Sequence, residues 1–280
     1  MTSLLITGSS GFVGTYFINN NTGFNIREVD LLTQKVPEID FKGIDSVLHL
    51  AALVHQLKPV KIEEYLSINS DLSFKLASRA KAMGVKHFVF MSTVKVYGNS
   101  TTGSVAWNEL SACSPKDPYG FSKHKAEERL KELEDSNFKV AIVRSPIVYG
   151  PNVKANMLNF IRLIDKMSVL PFAGIQNRRS MVYLGNLTTL LGLIINEKSS
   201  GIFLAGDPKP LTTTSIVELI AANLNKKIIL IKTPDIGVSM LQKITPSFYE
   251  RLWGSREINN SETNKILNYT PPFSTETGFT

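Results

Sequence analysis

The run Leu4-Leu5-Ile6-Thr7-Gly8-Ser9-Ser10-Gly11-Phe12-Val13-Gly14 decides how this chain folds. A short apolar segment enters a turn with a glycine at every third position, and a helix-compatible stretch through Phe17 and Ile18 follows. That is strand, glycine turn and helix within the first twenty residues. Each glycine has its own reason. Gly8 permits the tight turn, Gly11 lets backbone approach a diphosphate, and Gly14 allows the helix to pack closely on the strand. The first N–H groups of the helix, around Phe12 and Val13, then point at the anion together with the helix dipole.

Outward from this turn the pattern repeats. Asn25 to Val29 reads as a second strand closing with Asp30, and Ser46 to Ala52 as a further apolar run ending in Leu50-Ala51-Ala52. Glu64 to Met83 carries the helical spacing Leu66, Leu72, Leu76, Ala80. Lys86 to Met91 reads as a strand opening into Ser92-Thr93, Tyr119 to Leu133 as a helix, and Phe138 to Arg144 as a strand. Strands that are continuously apolar, alternating with helices, indicate a parallel sheet covered on both faces. Right-handed crossovers make this an α/β, doubly wound parallel-sheet Rossmann fold. After Pro151 the alternation fades into a mixed region, with helices expected over Met157–Met167 and Ile216–Leu224 and short strands over Ser180–Leu184 and Gly201–Ala205. The expected organisation is a dinucleotide-binding domain over 1–150 and a smaller, mixed substrate-binding region over 151–280, some of which rejoins the core.

The 280 residues hold 31 Lys+Arg against 24 Asp+Glu, a net charge of +7, with ordinary globular composition. The basic residues are spread along the chain without interleaved aromatics, so a nucleic-acid partner is not expected, whereas a polyanionic small substrate suits the charge. Cys113 is the single cysteine, which excludes an intramolecular disulfide. His49, His55, His87 and His124 share no ligand spacing with carboxylates, and no metal is expected. No signal peptide is read at Met1–Thr7, and the most apolar later stretch, Met181–Ile195, is too short to span a bilayer, so a cytoplasmic protein without a membrane partner is expected.

Asp30 stands 16 residues after Gly14, where a carboxylate can accept both adenosine ribose hydroxyls and repel a 2′-phosphate. This favours NAD, while Arg27 and Lys35 keep NADP open. Tyr119 and Lys123 lie four apart, hence on one helix face, just after Pro118, which suits a helix start. An ammonium about 5 Å from a phenol, at an effective dielectric of about 20, contributes roughly 3 kcal/mol toward the phenolate. The phenol can then exchange a proton with a sugar alcohol. Ser92 and Thr93 end a strand at the sheet edge where ligands bind, and a hydroxyl there orients the reacting oxygen.

Gly8 to Gly14, His49-Leu50-Ala51-Ala52, Asn69, Ser92-Thr93 through Val96-Tyr97-Gly98, Tyr119/Lys123 and Arg144-Ser145-Pro146-Ile147-Val148-Tyr149-Gly150-Pro151 occur in that order. Together they resemble the extended short-chain dehydrogenase/reductases, the NAD-dependent epimerase/dehydratase family acting on nucleotide sugars. The resemblance implies Thr93, Tyr119 and Lys123 as the catalytic set. It implies cofactor contacts from the glycine turn, Asp30, Leu50, Ala51, Ala52, Asn69 and Ser92, with Tyr119 and Lys123 joining them. Arg179 matches the family's phosphate-binding arginine, and Asn156 and Arg251 resemble positions that hold the nucleotide diphosphate. It also implies a homodimer through the Glu64–Met83 and Tyr119–Leu133 helices. Two departures stand out: the stretch Asp30 to Ser46 is short, so the third strand is expected to be absent or rudimentary, and the family's acidic contact near adenine has no match, Asp40 being a poor candidate.

Family dehydratases carry an Asp-Glu pair after the catalytic threonine. Val94 and Lys95 stand there, which disfavours dehydration. Oxidation or reduction at sugar C4 remains. Local resemblance in Ser92–Val96, Tyr149–Asn156 and Asn177–Ser180 points to reductases of UDP-4-keto-6-deoxy-N-acetylhexosamines in surface polysaccharide synthesis. A UDP-hexose 4-epimerase with tightly bound NAD is the alternative, and a non-catalytic dinucleotide-binding protein is the alternative of another class. Phe172 is open between packing on uracil and core, and Trp107 and Trp253 between core and sugar stacking.

Overall fold

The computed structural model describes residues 1–54, 60–101 and 105–279; His55 lies outside them. β1 (Thr2–Thr7) runs through the glycine turn into α1 (Phe12–Asn20) and returns as β2 (Phe24–Val29). β3 (Ser46–His49) follows, then α2 (Ile62–Leu66), one π-helical turn over Ser67–Asp71, and α3 (Leu72–Ala82). β4 (His87–Thr93), α4 (Pro118–Lys131) and β5 (Lys139–Ser145) complete the first half. Beyond it come β6 (Ile147–Tyr149), α5 (Ala155–Lys166), β7 (Val169–Leu170), β8 (Met181–Tyr183), α6 (Leu184–Glu197) and β9 (Gly201–Leu204). The chain closes with α7 (Thr213–Asn223), β10 (Ile229–Leu230), α8 (Asp235–Ile244), α9 (Pro246–Leu252) and α10 (Ser261–Ile266).

Six strands form the main sheet in the order β2-β1-β3-β4-β5-β9, every pair parallel. This is the doubly wound Rossmann order without its outermost strand beyond β2. Residues 31–45 supply only a 3₁₀ turn over Val36–Glu38, in keeping with the shortness of that stretch. The winding reverses between β1 and β3, so the glycine turn and the loop after His49 flank the crevice where such sheets take ligands.

Burial follows the strand period of two. Leu4, Ile6, Leu48, Val89 and Val143 pack on one face with Phe17 and the α6 residues Leu187, Leu191 and Ile194. Leu5, Val47, Phe88, Phe90 and Ile142 pack on the other with Leu76, Ala80, Ala126 and Leu130. Both faces are therefore dry, as the continuous apolar runs require. Although β9 and α6 belong to the second half of the sequence, they sit on this sheet. The other late segments build two small parallel sheets, β6–β8 and β7–β10, around a separate core containing Tyr149, Leu170, Phe172 and Ile216. Phe172 is buried there, edge-on to Phe160 and Trp253, which answers the sequence alternatives in favour of core.

Candidate active site

The glycine turn is packed so tightly that side chains are excluded. Gly8 has φ +73°, and a Cβ on it would lie 2.6 Å from the Ala51 nitrogen. A Cβ on Gly14 would lie 2.3 Å from the Gly8 oxygen. At Gly11 a Cβ would meet only the Gly8 oxygen, at 3.0 Å, leaving its outer side open. Gly11 is also the N-cap of α1 and brings no side-chain oxygen to its N–H groups, so an outside anion can take them. A dinucleotide diphosphate fits this cradle. Asp30 is exposed just past the end of β2, and its carboxylate accepts from the Leu32 N–H at 2.9 Å. Arg27, one of the two cations that kept NADP open, donates to the Asp40 and Lys42 carbonyl oxygens at 2.7 and 3.3 Å.

Thr93, Tyr119 and Lys123 line one cavity of about 310 Å³ together with Val13, Leu50 and Ala52. Val13, next to the glycine cradle, and the phenol thus border the same cavity. Asp117 caps α4 by accepting from the Gly120 N–H at 2.8 Å, with Pro118 in the first turn, and this sets where Tyr119 points. The Lys123 ammonium donates to the Met91 carbonyl at 2.8 Å and sits 4.4 Å from the Phe90 ring centroid. Charge is where expectation fails. Burial, with help from the Asp117 carboxylate, pushes the Tyr119 phenol above its ordinary value rather than below it. Burial also draws Lys123 down to about 7, against the opposing pull of Glu127. Desolvation penalises both ionised forms and is the largest cause of each shift.

Behind this wall lies a network that four separate segments assemble. Glu127, one helical turn past Lys123, accepts from Arg144 Nη2 at 2.6 Å and from Ser92 Oγ at 2.5 Å. Arg144 also donates to the Tyr97 hydroxyl at 2.8 Å. The Ser92 hydroxyl is therefore turned into the protein, although its residue borders the cavity. Asn69 behaves similarly. Its amide bonds both backbone groups of Leu53 and the Ser122 hydroxyl, so it holds the loop after Ala52 against α4. His49 bridges Thr7 and Ser73 and is held neutral by burial, its pKa near 3. Cys113, His124 and Glu127 do come within 4.8 Å of one another, which sequence spacing did not suggest. Both Glu127 oxygens are already taken, and the Arg144 guanidinium beside them opposes a cation.

On the opposite wall stand Arg179 and Arg256, residues paired across two adjacent parallel segments. Arg179 is buried and Arg256 half-buried, and neither makes an ion pair among the described residues. Burial, with the push of Arg256, lowers Arg179 to about 10. Their protein partners are backbone carbonyls, of Gly254 for Arg179 and of Asn99 for Arg256, with Glu250 and Asp117 acting on Arg256 only through space. Two guanidiniums side by side suit an anion. Arg256 is the residue sequence reasoning missed, since nothing in Ser255-Arg256-Glu257 marks it and only the pairing with Arg179 brings it in. Arg178 points elsewhere, into an exposed pair with Glu257 at 2.5 Å. Asn156 and Arg251 are exposed and do not line the cavity. Their helices, α5 and α9, present other residues inward. A second cavity of about 320 Å³ opens beside Asn177 and Ser255, chain neighbours of the arginine pair, and is bordered by Tyr249 and Trp253 with parallel rings. Trp107 instead stacks on Tyr97.

Residues 4–206 match the NAD dependent epimerase/dehydratase family. The chain belongs to that family. Among its relatives, a UDP-glucose 4-epimerase of Vibrio cholerae is 32% identical over 305 residues, covering 99% of this chain and 93% of the relative. The fold is shared with a UDP-N-acetylglucosamine 4-epimerase from Bacillus cereus, at TM-score 0.80 and 22% identity over 100% and 97% of the two chains. It is shared also with a UDP-glucuronic acid 4-epimerase from Bacillus cereus in complex with NAD, at TM-score 0.77 and 19% identity over 99% and 96%. As a member of the NAD-dependent epimerase/dehydratase family, the chain is an NAD(P)-dependent enzyme, and the glycine cradle is the part of it that would hold the dinucleotide.

Proposed function

We propose that this enzyme transfers hydride at C4 of a nucleotide-linked sugar, reducing a UDP-4-keto-6-deoxy-N-acetylhexosamine for surface polysaccharide synthesis. The observation that carries the reading is the single cavity in which Thr93, Tyr119 and Lys123 face Val13, Leu50 and Ala52 of the dinucleotide side. Bound NAD(P)H supplies the hydride. Thr93 holds the carbonyl oxygen by a hydrogen bond, and Tyr119 gives that oxygen its proton. Lys123, drawn down to about 7 by burial, borders the same cavity as the phenol and joins α4 to the end of β4 through the Met91 carbonyl. Arg179 and Arg256 take the diphosphate, and the second cavity takes the nucleoside. Elimination of water is disfavoured because Lys95, where a carboxylate would be needed, is paired with Asp117 at 2.8 Å.

The second reading is a 4-epimerase, favoured by the similarity to the Vibrio cholerae enzyme along nearly the whole chain. Purified protein supplied with the keto sugar and NADH separates the two. Steady, stoichiometric NADH oxidation supports the reductase; interconversion of two UDP-hexoses without net redox change makes it the epimerase, and neither makes it a non-catalytic binder. Direct binding of NADH tighter than NADPH is expected from Asp30, and the reverse order removes Asp30 from the ribose. The same reading includes a cytoplasmic homodimer formed through the α2–α3 and α4 helices.

A further inference from the structure

Helix α8 has no buried residue. Its inner side is half-buried, with Val238 bordering the second cavity and Leu241 also turned inward. On the outer side Ile236, Met240 and Ile244 recur at every fourth position and are 75%, 54% and 70% exposed. Phe248, at the start of α9, is about as exposed as Met240. Ile236 and Met240 each stand two residues from Val238, about 200° around the helix, so the stripe faces away from the cavity. Leaving such side chains in water is unfavourable unless something covers them. Where it meets solvent the segment carries two lysines against one carboxylate: Lys232 precedes α8, Asp235 opens it and Lys243 lies in its last turn, all exposed.

We propose that the outer face of α8 docks on an anionic membrane surface, the apolar stripe entering the headgroup boundary and Lys232 and Lys243 meeting lipid phosphates. Charge favours this occupant, since an anionic bilayer attracts the two exposed lysines. Size points the same way, since one stripe on a ten-residue helix falls well short of the about 800 Å² per partner of a stable dimer. An amphipathic helix of this kind lies in the interface plane without crossing it. No helix of the described residues is long and apolar enough to span, so the contact is peripheral. The expectation of no membrane partner rests on the lack of a spanning segment, which a surface helix does not need. Docked this way, α8 would hold the second cavity against the bilayer surface, whichever sugar reaction the enzyme performs.

The test is sedimentation of the full-length protein with vesicles of mixed phosphatidylglycerol and phosphatidylcholine, and with vesicles of phosphatidylcholine alone. Binding to the mixed vesicles and not to the neutral ones, weakened by added salt, is expected. The variant Ile236→Ser/Met240→Ser/Ile244→Ser should bind about tenfold or more weakly. Lys243→Gln should bind more weakly to the mixed vesicles while keeping the same melting midpoint. Absence of vesicle binding by the wild type overturns the proposal, as does unchanged binding by the triple variant. A wild type that is dimeric without vesicles, becoming monomeric in the triple variant, overturns it in favour of self-association. Should the triple variant fail to fold, the lysine variant and the salt dependence decide.

Discussion

At neutral pH the Tyr119 phenol holds its proton and Lys123 is poised near half-protonation, both because they are buried. Removing only the hydroxyl therefore removes the proton donor while leaving the cavity wall. Tyr119→Phe is expected to bind NADH as the wild type does and to lose roughly 10²–10⁴-fold in turnover. Equilibrium binding by NADH fluorescence together with steady-state kinetics checks both halves. At this scale the sequence was informative where spacing along one element fixes geometry. Tyr119 and Lys123 face the same cavity because residues four apart on a helix must. It was uninformative where proximity crosses elements. Arg256 reaches Arg179 only through pairing of distant segments, and Asn156 and Arg251, chosen by resemblance, stay in solvent.

Elements are held to each other by contacts too close for a methyl group, and this gives the second prediction. Gly14→Ala places a Cβ 2.3 Å from the Gly8 oxygen and within 3 Å of Ser9 backbone atoms, none of which is a flexible side-chain tip. Helix α1 must move away from the turn, with a loss of about 1–3 kcal/mol of stability and weaker NADH binding. Urea unfolding and a binding titration measure these separately. The glycine pattern, the strand runs and the Pro118 helix start were all readable, since each follows from local backbone chemistry. The π-helical turn over Ser67–Asp71 was not readable. The spacing predicted one continuous helix over Glu64–Met83, yet the wider turn brings Asn69 and Ser70 inside, where Asn69 ties a distant loop to α4.

Across the whole molecule, buried polar groups set the stability and its pH dependence. Arg144→Leu would leave the Glu127 carboxylate buried without its partner and is expected to cost about 3–5 kcal/mol. The double variant Glu127→Leu/Arg144→Leu should recover part of that loss in urea unfolding. In the unfolded chain a histidine takes up a proton as pH falls through about 6.5. Folded His49 and His87, desolvated by burial, resist protonation down to about 3 and about 4. The unfolded state gains protons first, so stability falls with pH over that window, by roughly 2 kcal/mol for each group near pH 5. His49→Gln should show a shallower fall than the wild type between pH 7 and that point. By itself the sequence determined the Rossmann winding, the dinucleotide turn and the face shared by Tyr119 and Lys123, because each depends on residues near one another along the chain. Only the tertiary structure decided the protonation of that pair, the partner of Arg179 and the outward apolar face of α8. Burial, charge pairing across segments and exposure are properties of what surrounds a side chain once the distant parts have met.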